Sequence, residues 1–244
     1  MGKYIVEVDN LTIRFNMASE KVDNLKEYAI KLIKKELYFK EFLALKDVSF
    51  CVQPGEAWAL IGLNGSGKST LLKAITGILK PYKGSVTIHG EIAPLIELGA
   101  GFDGNLTARE NIYLNGTVLG HTKHFMDQHF KEIVDFAELW DFLDTPIKNF
   151  SSGMKARLGF SVATMVQPEI LIVDEILAVG DYKFRQKCEK RMGEMLANGT
   201  TLLYVSHSIN DVQKLCTHAL WLHKGTIVMK GNVQEVCDAY LGTR

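Results

Sequence analysis

Residues 62–69 read Gly62-Leu63-Asn64-Gly65-Ser66-Gly67-Lys68-Ser69, with Thr70 next. The pattern is G-x-x-x-x-G-K-[ST], set between a short apolar run and a helical one. Its chemistry is phosphate capture. Glycines let the backbone curl until successive N–H groups point at one anion. The helix that follows adds the positive end of its dipole. The Lys68 ammonium suits the β- and γ-phosphates of a nucleotide, and the Ser69 hydroxyl is a hard oxygen donor suited to Mg2+. An ordinary glycine-rich turn is the rival reading, and pattern and context together argue against it. Gly62, Asn64, Gly65, Ser66, Gly67, Lys68, Ser69 and Thr70 are therefore the expected nucleotide-binding residues.

A second constellation lies about a hundred residues on. Residues 170–175 read Ile-Leu-Ile-Val-Asp-Glu, four apolar residues and then two carboxylates. In open α/β sheets the carboxyl end of a parallel strand is the ligand edge. Asp174 is expected to hold Mg2+, and Glu175 to polarise the attacking water as a general base. Alone the pair is a weak signal, since acidic residues often end strands as caps; with residues 62–69 it is a strong one. His207 follows the apolar run Leu202–Val205. On the same positional logic its imidazole is expected at the γ-phosphate, against the alternative of a surface or capping histidine.

These groups need a parallel sheet to gather them. Ala57–Ile61, Ile170–Val173 and Leu202–Val205 are short apolar strands alternating with helical segments, which predicts an α/β fold with a mainly parallel, helix-covered sheet. Ser69–Leu79 reads as a helix ended near Pro81 and Gly84, and Ser85–Ile88 as a strand. Residues 4–15 alternate as strands with an Asp9-Asn10 turn, and 43–53 alternate likewise, so an antiparallel β lobe accompanies the core. Between them, residues 16–42 carry apolar side chains at helical spacing and read as an inserted amphipathic helix. Residues from about 102 to 165 read as a helical subdomain. Residues 219–241 read as a hairpin followed by a short helix. All 244 residues are expected to form a single domain.

Composition narrows the partners. Lys and Arg together number 28, as do Asp and Glu, so no basic excess favours nucleic acid. Cys51, Cys188, Cys216 and Cys237 are scattered without a C-x-x-C pair, the pattern of reduced thiols rather than a zinc site. The opening MGKYIVEVDN has no apolar h-region and no apolar run is long enough to span a bilayer, so any membrane role is expected to run through a partner or through surface contact.

Together with Phe150-Ser151-Ser152-Gly153-Met154, these motifs resemble the ATP-binding cassette (ABC) family over nearly the whole chain. FSSGM resembles that family's LSGGQ signature in degenerate form. The resemblance implies that Ser151, Ser152, Gly153 and Met154 cap a nucleotide held by a second copy of the chain, so that a homodimer sandwiches ATP. Read by itself, the segment is an N-capped helix. The resemblance places Phe15 as the aromatic that stacks on adenine, with a core strand residue as the other reading. Asp181, in LAVGD, falls where the family has a D-loop aspartate that touches the opposite site. The family's usual Gln before the helical subdomain is missing from His89–Glu110, and Glu97 is the nearest candidate Mg2+ ligand.

The stretches 92–116 and 173–181 resemble the ATPases of polysaccharide, O-antigen and teichoic acid exporters. The expected function is ATP hydrolysis driving export of a lipid-linked polymer through a polytopic permease, at the cytoplasmic face of the cell membrane. The permease is expected to dock near Glu97–Asn105. The 16–42 insertion suits a membrane-side role, and a solvated helix packed on its own domain is the alternative. With the last residue at Arg244, no appended carbohydrate-binding domain is expected. The rivals are a soluble ABC ATPase with an assembly or mechanical role and a binding module with lost catalysis.

Overall fold

The computed structural model describes residues 4–18, 39–95, 101–174, 181–206 and 208–243. Two sheets organise them. Strands β1 (Val6–Ala18), β2 (Phe39–Val52) and β4 (Lys83–Ile88) form an antiparallel sheet in the order β2-β1-β4. The other sheet runs β5-β6-β7-β3-β8-β9, built from Ile92–Leu95, Ile170–Val173, Thr201–Val205, Ala57–Ile61, His218–His223 and Thr226–Asn232. It is parallel from β5 through β8, and β9 closes it as an antiparallel edge. The runs AWALI, ILIV and TLLYV of its central strands are buried at every position, as a sheet covered on both faces demands.

Strand alternation sorts the side chains between two cores. Trp58, Leu60, Ile170, Ile172, Leu203 and Val205 pack with the antiparallel sheet and with Leu71, Leu72 and Ile75 of helix α1 (Lys68–Ile75). Ala57, Ala59, Ile61, Leu171, Val173 and Leu202 face the opposite way. There they meet Phe184, Cys188 and Met192, which belong to a later helix, Tyr182–Ala197. Burying each such Leu or Ile contributes about 1.5–3 kcal/mol.

A third core is separate from both. Helices α2 (Ala108–Val118), α3 (Lys123–Ala137) and α4 (Ser152–Ala163) bury Ile112, Met126, Ile133, Val134, Leu158 and Val162 against one another. Helix α2 opens with a capping box: Thr107 accepts from the Glu110 N–H while Glu110 accepts from the Thr107 N–H. The chain returns to the main core through α5 (Tyr182–Ala197), α6 (Ile209–Leu215) and α7 (Val233–Leu241). Among the described residues no helix is long and apolar enough to cross a membrane.

Three boundaries differ from the sequence reading. Asp9-Asn10 is no turn: β1 runs on through it, with Asn10 at φ 47° where the register with β2 shifts. Asn tolerates the left-handed region, so the chain bulges instead of reversing. Helix α1 ends at Ile75, well before Pro81, because Gly77 takes φ 76° just past the cap. Strands β1 and β2 also extend into the expected insertion, pairing as far as Ala18 with Phe39. Asn16–Ala18 and 39–42 are thus strand, and 19–38 lie outside the described residues.

Candidate functional site

The loop at 62–69 leaves the end of β3, between β7 and β8 at the centre of the parallel sheet. Gly62 turns the chain at φ 147°, where a Cβ would stand 2.3 Å from the Leu222 carbonyl oxygen. No other residue fits that turn. Gly67 is the N-cap of α1 and supplies no side-chain acceptor to its first turn, which also holds no acidic residue. The helix therefore presents uncapped N–H groups and the positive end of its dipole to the loop. Lys68 is only 6% exposed, and its ammonium donates to the carbonyl oxygens of Gly62 at 2.9 Å and Leu63 at 3.1 Å.

A cavity of about 370 Å³ opens beside this loop, lined by Phe15, Phe42, Ala44, Asn64, Gly65, Gly67, Lys68, Ser69 and Thr70. Phe15 is 38% exposed on it, so it is no core residue. Its cross-strand partner is Phe42, 48% exposed on the same cavity. Directly opposed residues share a sheet face, so the two rings stand on one wall. The sequence alone does not single out Phe42, because residue 42 reads as part of the insertion. Period-two alternation back from Ala44 was the signal that finds it. Gly62 and Ser66 do not line the cavity. Ser66 is buried, and among the described residues its hydroxyl oxygen has no hydrogen-bond partner.

Asp174 follows Val173 at the end of β6, half-buried. Register pairs Val173 with Tyr204 and Leu60 with Val205, so Asp174, Ser206 and Gly62 leave one edge of the sheet. Glu175, His207 and Glu97 lie outside the described residues.

Ser151 caps α4, its hydroxyl accepting from the Met154 N–H at 3.2 Å. Ser151 and Ser152 are exposed, Gly153 and Met154 half-buried. None of the four lines the phosphate-loop cavity of the same chain. Asp181 caps α5 by accepting from the Phe184 N–H at 2.9 Å, and that hydrogen bond, with the nearby Arg157, holds its carboxyl below the usual range. Its second oxygen pairs with Arg157 of α4, which also reaches Glu138 at 3.2 Å. The structure thus brings Phe15 and most of the loop residues to one cavity. Asp181 it ties to the helix that begins at Ser152.

Residues 45–178 match the sequence profile of a family described as ABC transporter. The chain is 48% identical over 201 residues to the O-antigen export system ATP-binding protein RfbB of Klebsiella pneumoniae, covering 82% of each protein. It is 40% identical over 237 residues to the teichoic acids export ATP-binding protein TagH of Bacillus anthracis. That match covers 97% of this chain and 42% of the relative, so the chain spans well under half of TagH. Its fold is similar to a solved ATP-binding subunit of an ABC transporter, with a TM-score of 0.76 at 24% identity, covering 97% of this chain and 93% of that one. A dimeric cassette bound to ADP and Pi, MJ0796, gives 0.75 at 22%, covering 93% and 98%.

Proposed function

Because the chain belongs to the ABC transporter family, we propose that it is the ATP-hydrolysing subunit of an exporter. The exporter moves a lipid-linked polysaccharide, O-antigen or teichoic acid through a separate membrane permease, and this subunit sits on the permease's cytoplasmic side. One observation carries the nucleotide reading: a single cavity joins a phosphate loop to two exposed aromatic rings. The exporter reading is supported by the relatives named for O-antigen and teichoic acid export.

The residues take the following parts. Phe15 stacks on the adenine, and Asn64, Gly65 and Gly67 offer backbone N–H groups to the phosphates. The Lys68 ammonium exchanges the carbonyls of Gly62 and Leu63 for phosphate oxygens. The Ser69 hydroxyl, in the first turn of α1, and the Asp174 carboxylate, at the end of β6, are hard oxygens that would hold Mg2+, with Glu97 as a further ligand. Mg2+ supplies neutralisation of the charge gathered on the phosphates. Glu175 takes a proton from the water whose oxygen attacks the γ-phosphorus, and the bond to the β–γ bridging oxygen breaks to release ADP. His207 steadies that water and the γ-phosphate. Ser152 and Gly153, at a helix start that does not line their own cavity, complete the site of a second copy.

Phosphate release by the purified chain and capture of its partners test this reading. Lys68→Ala should lower turnover at limiting ATP by at least about tenfold. The wild-type chain should bring down a polytopic membrane protein. Unchanged turnover in Lys68→Ala would refute the loop assignment. Hydrolysis without any such partner would place the chain among the soluble ABC ATPases.

A further inference from the structure

We infer that Gly225, in the turn between β8 and β9, is a positioning residue that holds the phosphate loop against the wall that receives the base. The inference rests on residues 62–69 binding nucleotide phosphates. The turn has Lys224 at φ 47° and Gly225 at φ 80°, as a two-residue type I′ hairpin requires. Such tips normally stand in solvent, and His223, Lys224 and Thr226 are indeed exposed. Gly225 is buried, because the tip is wedged between two other segments.

Its two backbone polar groups are used in opposite directions. The Gly225 N–H donates to the carbonyl oxygen of Ser66, in the phosphate loop, at 2.9 Å. The Gly225 carbonyl accepts from the Lys46 N–H, in β2, at 2.9 Å. β2 is the strand that carries Phe42 and Ala44 to the cavity. One residue thus joins the two walls between which a nucleotide must lie. The space there is closed: a Cβ at Gly225 would stand 2.5 Å from the Ala44 carbonyl oxygen and 3.3 Å from the Leu45 Cα. Those are backbone atoms and cannot rotate aside, so a side chain at 225 pushes β2 away from the loop. The same hairpin meets the loop again at Leu222, whose carbonyl oxygen crowds Gly62.

A ligand that bridges both walls senses their separation, so Gly225→Ala should raise the KM for ATP by about tenfold or more while kcat stays within about threefold. Gly84→Ala is the control. Gly84 has φ 77°, and its Cβ would stand 2.3 Å from the carbonyl oxygens of Asp9 and Asn10, a clash of the same kind with the backbone of the antiparallel sheet but away from the loop. It should lower the melting temperature and leave KM unchanged. The inference is overturned if KM is unchanged in Gly225→Ala, or if Gly84→Ala raises it equally. Should Gly225→Ala not fold, amide exchange is read on the wild-type chain. Saturating ATP should slow exchange at Gly225 and Lys46, and unchanged rates there overturn it. If Lys68→Ala keeps wild-type KM and kcat, the phosphate-loop reading itself fails, a result separate from either outcome at Gly225.

Discussion

At Ser66 a hydroxyl is buried among backbone atoms of the phosphate loop, and no described residue bonds its oxygen. A buried polar atom without a partner costs about 1–3 kcal/mol relative to one that is paired. Ser66→Ala removes that cost and keeps the loop's backbone. We therefore expect the thermal midpoint to hold or rise, with ATP affinity unchanged, by calorimetric melting and nucleotide titration. A clear fall in either would mean that the hydroxyl has a partner when nucleotide is bound. Lys68 is the opposite case, a buried cation already bonded to two carbonyls of its own loop. Its residue type and spacing were legible in the sequence, because chemistry fixes both. From its place in the motif Ser66 reads as a nucleotide-binding residue; its side chain is buried and does not line the cavity, and no linear pattern records that.

Among the elements, α2 depends visibly on its cap. Thr107 and Glu110 satisfy each other's backbone N–H groups, and the Thr107 hydroxyl also donates to Glu110 at 2.7 Å. Thr107→Ala should destabilise the chain by about 1 kcal/mol without touching ATP affinity. The Thr107 bonds hold the Glu110 carboxyl below its usual range. The stabilisation is therefore complete above the unfolded pKa of that carboxyl and is lost as pH falls through the folded one. The gap between wild type and Thr107→Ala should narrow in acid, and denaturant melts across that range measure it. The buried strands were legible because unbroken runs such as ILIV have few other uses. The ends of elements were less so. Asn10 reads as a turn in the sequence because a bulge and a turn use the same residue types, and only strand pairing separates them. Phe42 was hidden because β2 begins at Phe39, inside a segment whose apolar spacing suited a helix.

At the scale of the whole molecule, the described residues form three cores, two on the faces of the parallel sheet and one in the helical segment that carries Ser151–Met154. No single chain places those residues on its own phosphate-loop cavity. The sequence suggested this only through family resemblance, since which surface meets a second copy is not written in local spacing. The proposed sandwich gives it a purpose: two chains close on two ATP molecules, and hydrolysis reopens them. Glu175→Gln separates binding from chemistry, because the amide keeps the size of the carboxylate and cannot take the proton. The direct measurement is the sedimentation of that variant with Mg2+ and ATP, with phosphate release followed in the same sample. We predict a shift to twice the mass of the chain, reversed by removing ATP, with turnover nearly abolished. A variant that stays at the mass of one chain with ATP bound, or that hydrolyses at the wild-type rate, would contradict the account.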